Sequence, residues 1–206
     1  MGRFRIVFIS MSLALAAIVA ALILVNPPPG TAPVAAAGNA AIGGPFQLVD
    51  QNGRAVDQRV LNGKWTAVFF GYTYCPSACP TALQSLAAVQ DKLGARARDF
   101  QIVFISIDPA RDTPAKLKEY LSTHGFPQGV IGLTGTPQQV DRAAKAYRVI
   151  YAKQPSTDGN ASDYLMDHTT FIYLMNPQGR FAAVLTQEES PQAEAAQIIK
   201  DMQSAG

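Results

Sequence analysis

Apolar and polar positions along the chain fall into alternating strand and helix patterns. Phe46-Gln47-Leu48-Val49 and Ala55-Val56 flank Asp50-Gln51-Asn52-Gly53, and Asn-Gly between apolar runs predicts a hairpin turn. Trp65-Thr66-Ala67-Val68-Phe69-Phe70-Gly71 is a continuous apolar run of strand length, expected of a central strand covered on both faces. From residue 81 to 98, Leu83, Leu86, Val89 and Leu93 recur at helical spacing, and Pro80 suits a first turn. Residues 101–107 read as a second buried strand. Thr113-Pro114 opens a further helix with Leu117, Tyr120 and Leu121 on one face, and Thr113 is its expected cap. Residues 130–133 form a short strand candidate, Thr136-Pro137 starts a helix to about Tyr147, and 149–152 is again strand-like. A polar loop over 154–163 leads to two apolar runs, 171–175 and 181–185, joined by the turn Asn176-Pro177-Gln178-Gly179. The chain closes with a helix over 191–203. The class is α/β, with a βαβ opening and a final hairpin plus helix.

The N-terminal part has a different character. Residues 6–25 are uncharged and almost entirely apolar, about the length needed to cross a bilayer core of roughly 30 Å. Arg3 and Arg5 precede them, so the positive-inside rule keeps residues 1–5 cytoplasmic and sends the rest across. A cleaved signal peptide is the rival reading, but it has a shorter apolar region and an A-x-A-like site soon after, whereas Ala35-Ala36-Ala37 lies beyond a Pro-Pro-Pro. An uncleaved transmembrane anchor is therefore expected, and either reading exports the remainder. Residues 26–44, rich in Pro, Ala and Gly, read as a semi-rigid tether. The exported domain spans 45–206, and without a transit-like leader the membrane is the bacterial inner membrane, with the domain facing the periplasm.

Charge removes one class of partner. The chain has 17 Lys+Arg and 15 Asp+Glu; with Arg3 and Arg5 set aside, the exported part carries 15 of each. No basic patch suits nucleic acid.

The chemistry concentrates in the only two cysteines, within Tyr74-Cys75-Pro76-Ser77-Ala78-Cys79-Pro80, directly after the central strand and at the start of a helix. Backbone N–H groups and the helix dipole there favour thiolate. On a helix, residues four apart share a face about 6 Å apart, so the two sulfurs can chelate a soft metal or form a disulfide. As a structural staple the pair is poor, since so short a loop yields about 2 kcal/mol. This element order, with Cys-x-x-x-Cys after the first central strand, is that of a thioredoxin-like fold. In such a sheet the strand at 171–175 runs antiparallel to 65–71, which carries His168 to the cysteines. Two thiolates and an imidazole then converge as a soft, three-coordinate set suited to copper. Thioredoxin-type oxidoreductases carry a cis-proline before that strand; Met166-Asp167-His168-Thr169-Thr170 has none.

Three segments make a more specific resemblance: Gly71-Tyr72-Thr73-Tyr74-Cys75-Pro76-Ser77-Ala78-Cys79-Pro80, Ser106-Ile107-Asp108-Pro109-Ala110-Arg111-Asp112-Thr113-Pro114, and Asp167-His168-Thr169-Thr170-Phe171-Ile172-Tyr173-Leu174 with its Pro177-Gln178-Gly179 turn. Over residues 45–206 the chain resembles the Sco/SenC family of membrane-anchored copper proteins that help assemble the copper A centre of cytochrome c oxidase. The resemblance implies a thioredoxin-like fold with an added β-hairpin, and Cys75, Cys79 and His168 as ligands of Cu(I), with Cu(II) also accommodated. Its implied partners are subunit II of cytochrome c oxidase or another copper-oxidase subunit, an upstream copper chaperone and a thiol reductant. Many relatives have an acidic residue between the cysteines and a histidine before the first; here stand Ser77, Ala78 and Tyr74.

Two functions use these residues. A copper-delivering assembly factor implies no substrate turnover. A membrane-anchored thiol–disulfide oxidoreductase uses Cys75 and Cys79 as a redox pair, with His168 lowering a thiol pKa; a thiol peroxidase is supported by the fold alone. Among other candidates, the loop 108–112 is either a docking loop near the metal or a turn and cap held by an Arg–Asp pair. His124 reads as a polar group at a helix end, Met166 as core more than thioether ligand, and Tyr72 and Tyr74 as shield or packing. Asn160-Ala161-Ser162 matches a glycosylation sequon.

Overall fold

In the computed structural model, which describes residues 42–155, 163–186 and 189–204, the chain opens with a hairpin of β1 (Gln47–Asp50) and β2 (Ala55–Asp57). The Asp50 carboxylate accepts from the Asn52 and Arg54 N–H groups at 2.9 Å, and Gly53 takes φ +81°, which a glycine adopts without strain. Next come β3 (Trp65–Gly71), α1 (Ala78–Leu93), β4 (Phe100–Ser106), α2 (Pro114–Leu121), β5 (Ile131–Thr134) and α3 (Pro137–Ala146). A ribbon of β6 (Tyr151–Gln154) and β7 (Leu165–His168) follows, then a hairpin of β8 (Ile172–Met175) and β9 (Phe181–Leu185), then α4 (Pro191–Ser204).

Seven strands form one mixed sheet in the order β2-β1-β5-β4-β3-β8-β9. β3 lies inside the sheet between β4, parallel, and β8, antiparallel, and all seven of its residues are buried. Burial on both faces is why its sequence is apolar without alternation. The helices α1 and α4 pack on each other, α2 packs on β5, and α3 on β1. The α/β, thioredoxin-like arrangement expected from the sequence is therefore present, with β1–β2 as an extra hairpin at one edge.

The helix starts obey local chemistry. Thr113 accepts from the Lys116 N–H, and Thr136 makes a capping box with Gln139, each with Pro at the first helical position. Two boundaries differ from expectation. The helix read over 81–98 begins at Ala78, and it ends at Leu93 because Gly94 turns to φ +55°; a 3₁₀ turn, Gly94–Asp99, completes the span. The strand read at 149–152 lies two residues later as β6, and its partner β7 was not expected as a strand.

The apolar run 6–25 and the sequon at 160–162 lie outside the described residues, as does most of the tether. Among the described residues no helix is long and apolar enough to cross a membrane. At the start of the described chain, Ile42 packs against the core and the Gly43 N–H donates to the Ala146 carbonyl at 2.9 Å.

Candidate metal centre

β3 leaves the sheet at Gly71 and delivers the cysteine loop. Asp112, wholly buried in the loop after β4, fixes that loop: its carboxylate accepts from the Thr73 N–H at 3.1 Å, the Thr73 hydroxyl at 2.6 Å and the Ser106 hydroxyl at 2.6 Å. Burial raises the Asp112 pKa, against those hydrogen bonds. The cysteines do not share a helical face. Cys75 lies before α1, consistent with Pro76 disfavouring helical backbone at the residue before it, and Cys79 is the second residue of α1. Ser77 at the cap position makes no side-chain capping bond; the Cys79 N–H donates instead to Cys75 Sγ at 3.2 Å. The sulfur thus serves one of the helix's unpaired first-turn donors.

His168 comes from the other side. Because β8 runs antiparallel to β3 with Phe69 opposite Ile172, the residues just before β8 fall beside the end of β3. His168 ends β7, opposite Tyr151 of β6, and its ring lies 6.3 Å from that of Phe69 and 6.0 Å from that of Tyr72, centroid to centroid. Nδ1 is 2.8 Å from the Thr169 carbonyl oxygen, which can only accept, so Nδ1 carries the proton. In the neutral ring that leaves the Nε2 lone pair free to ligate, and Nε2 lies 3.7 Å from Cys79 Sγ. One ligand atom from each of Cys75, Cys79 and His168 falls within 4.8 Å of the other two. The span of about ninety residues expected to close on this point does close.

The two thiols are unequal. The hydrogen bond with the Cys79 side chain lowers the Cys75 pKa to about 4, against burial and with help from His168 and the N–H groups of Cys79 and Ser77. The same bond, with burial and the Cys75 charge, pushes the Cys79 thiol up. Cys75 reaches the surface edge at 9 % exposure, whereas Cys79 is sealed. With Cys75 held low and Cys79 pushed up, the two free cysteines make a soft donor set into which a thiophilic cation can displace one proton.

Around this centre the other candidates sort themselves. Tyr72 is buried and its hydroxyl accepts from the Met166 N–H at 3.2 Å, while Tyr74 is half exposed beneath the Arg111 guanidinium. The Arg–Asp pair expected in the loop 108–112 forms between Arg111 and Asp108, and Asp112 ties that loop to the cysteine loop. Met166 packs against the core, and His124 is exposed in the turn after α2, away from the centre. Sequence reasoning missed Tyr164, whose hydroxyl donates to Asp108 at 2.7 Å. One aromatic in a polar stretch carries no periodic signal that could have found it.

The fold has counterparts among solved structures. The structure of Bradyrhizobium japonicum ScoI with copper bound shares 46% identity at a TM-score of 0.70, covering 78% of this chain and 99% of that one. The structure of BsSco, described as a member of the Sco family of cytochrome c oxidase assembly proteins with a disulfide switch, shares 26% identity at a TM-score of 0.62, covering 80% and 94%. The mitochondrial SCO1 homolog 1 of Arabidopsis thaliana is 46% identical over 146 residues, 70% of this chain and 42% of its own length. The chain spans about half the length of the curated relatives it matches. A model of the SCO1/SenC family matches residues 34–203, and the chain belongs to that family.

Proposed function

We propose that this protein binds copper through Cys75 Sγ, Cys79 Sγ and His168 Nε2 and delivers it to the copper A site of cytochrome c oxidase. The observation that carries the reading is the convergence of those three atoms within 4.8 Å at the edge of the sheet. Copper in the structure of the Bradyrhizobium relative supports the choice of metal. Two thiolates and a neutral imidazole leave Cu(I) with one net negative charge and Cu(II) with none, so both states are held. Cys75, at the surface edge, is the ligand an incoming thiolate of the oxidase subunit reaches first, and exchange proceeds from it inward. Residues 6–25 anchor the chain in the bacterial inner membrane, 26–44 tether it, and 45–206 face the periplasm, where an upstream chaperone supplies the ion and a thiol reductant keeps the cysteines reduced. The test is anaerobic Cu(I) titration of the reduced full chain against a competing chelator, beside His168→Ala. One tight equivalent that weakens at least tenfold in the variant is expected; binding indifferent to His168 would overturn the ligand assignment.

A second reading rests on Cys75, the less buried of the two cysteines, beside the sealed Cys79. In it the Cys75 thiolate attacks a disulfide of the oxidase subunit, forming a mixed disulfide and releasing one target thiolate. Cys79 then gives up its thiol proton to the departing target sulfur, closes on Cys75 and releases that second sulfur as a thiol, so the target gains the two electrons that the pair loses. Turnover with a dithiol partner that survives His168→Ala would favour it over copper delivery.

A further inference from the structure

Among the described residues, the strand that carries His168 has no ladder to the main sheet: β7 pairs with β6, and the two form a separate ribbon. Three residues of chain, 169–171, join it to β8. Such a connection by itself leaves the ribbon free to swing, so the distance from His168 to the sulfurs depends on side-chain ties.

Two of those ties meet at Tyr164, the residue before β7. Its hydroxyl donates to Asp108 Oδ1 at 2.7 Å, and Asp108 Oδ2 accepts from Arg111 Nε, both groups being almost enclosed. The Arg111 guanidinium carbon lies 3.5 Å from the Tyr164 ring centroid, 4.5 Å from that of Tyr74 and 5.9 Å from that of Tyr72. Tyr74 adjoins Cys75 in sequence. One planar cation therefore lies against the aromatic flank of the cysteine loop and against the base of the histidine strand. Guanidinium stacking gives this contact a defined geometry that an ammonium lacks. A third tie, from the Met166 N–H to the Tyr72 hydroxyl at 3.2 Å, runs parallel to it.

We infer that Arg111, held by Asp108 and stacked on Tyr164 and Tyr74, is a positioning residue that sets His168 at ligating distance from Cys75 and Cys79. The inference rests on the reading of those three residues as a copper site. Arg111 acts through Tyr164 on the strand. Groups that orient a ligand in this way cost about 10–100-fold in metal affinity when lost.

The test is a double-mutant cycle on Cu(I) affinity in the reduced full chain: wild type, Arg111→Ala, His168→Ala and the double variant. Arg111→Ala is expected to weaken binding about tenfold when His168 is present and less than twofold when it is absent. An equal loss in both backgrounds means that Arg111 is merely structural and overturns the proposal. If His168→Ala binds as wild type does, the copper-site reading itself has failed and the proposal falls with it. Tyr164→Phe removes only the hydroxyl that reaches Asp108, so it carries the same cycle if Arg111→Ala does not fold. Its loss is expected to be about threefold and again confined to the His168 background.

Discussion

The two halves of the metal centre are built to different standards. The cysteine half is an extension of the main sheet: β3 runs buried into it, the Asp112 carboxylate takes three hydrogen bonds from Thr73 and Ser106, and Cys79 is sealed within α1. The histidine half is a two-stranded ribbon whose residues are exposed or half buried along most of both strands. Its ties to the rest include contacts through Tyr72, Tyr164 and Arg111, and Tyr151 and Met166 pack against the core. Isolated two-stranded ribbons are marginal in water, so this half borrows its order from those contacts. On the proposed assignment two ligands are fixed and one is lightly held, which suits an ion that must be kept and then surrendered. In that reading, withdrawing His168 would open a coordination position without disturbing the sheet.

The sharpest way to break the fixed half is at Gly71. A Cβ there would meet Cys79 Sγ at 2.9 Å and the Phe104 ring at 2.9 and 3.1 Å, with a buried helix and strand behind them. Gly71→Ala is expected to cost about 3 kcal/mol in denaturant unfolding and to displace Cys79 Sγ, lowering Cu(I) affinity as well. A variant as stable as wild type would show that the cysteine half yields more readily than its packing implies.

This contrast also explains what was legible in the sequence. The fixed half announces itself: a seven-residue apolar run, β-branched residues in the next strand, Thr-Pro helix starts and an Asn-Gly turn are each local signals with one structural solution. The convergence of His168 on the cysteines followed from topology alone. The histidine half is quiet. Leu165-Met166-Asp167-His168 neither alternates cleanly nor forms an apolar run, because neither face of the ribbon is fully buried. Cys75 was misplaced on the helix because a four-residue spacing was weighed without the restriction that Pro76 puts on its predecessor. Tyr164 and Arg111 meet across more than fifty residues, and nothing local to either encodes that contact.

A smaller effect comes from α4, which packs on the helix carrying Cys79. Glu194 is 1 % exposed and its carboxylate oxygens have no hydrogen-bond partner among the described residues. Burial, with the nearby Glu189 charge, raises its pKa to about 7. The folded state therefore keeps a proton that the unfolded chain loses near its ordinary value of 4.5. Stability falls as pH rises from about 4.5 to about 7, and the loss is complete above that range. Glu194→Gln removes the titration. It is expected to match wild type near pH 4.5 and to exceed it by on the order of 2 kcal/mol at pH 8, read from unfolding curves at both pH values. A stability difference independent of pH would mean that the carboxyl finds solvent or a partner in the folded state.

The gentlest perturbation sharpens the comparison from the other half. Where β6 begins and β7 ends, the Ile150 N–H donates to Thr169 Oγ1 at 3.1 Å, and the Thr169 N–H donates to the Ile150 carbonyl at 2.9 Å. Thr169→Val deletes the first bond and the long 3.4 Å bond the hydroxyl donates to the Ile150 carbonyl, keeps the backbone bond and preserves the side-chain shape. Both groups are at the surface, so global unfolding should shift by no more than about 0.5 kcal/mol. If the ribbon opens independently of the sheet, the missing bond weakens only that local equilibrium. Native-state hydrogen exchange should then accelerate about twofold to threefold at the amides of β6 and β7, with β3 and β4 unchanged. Acceleration spread equally over both would mean that ribbon and sheet open as one unit. The histidine would then be as firmly held as the cysteines, and the contrast between the two halves would fall.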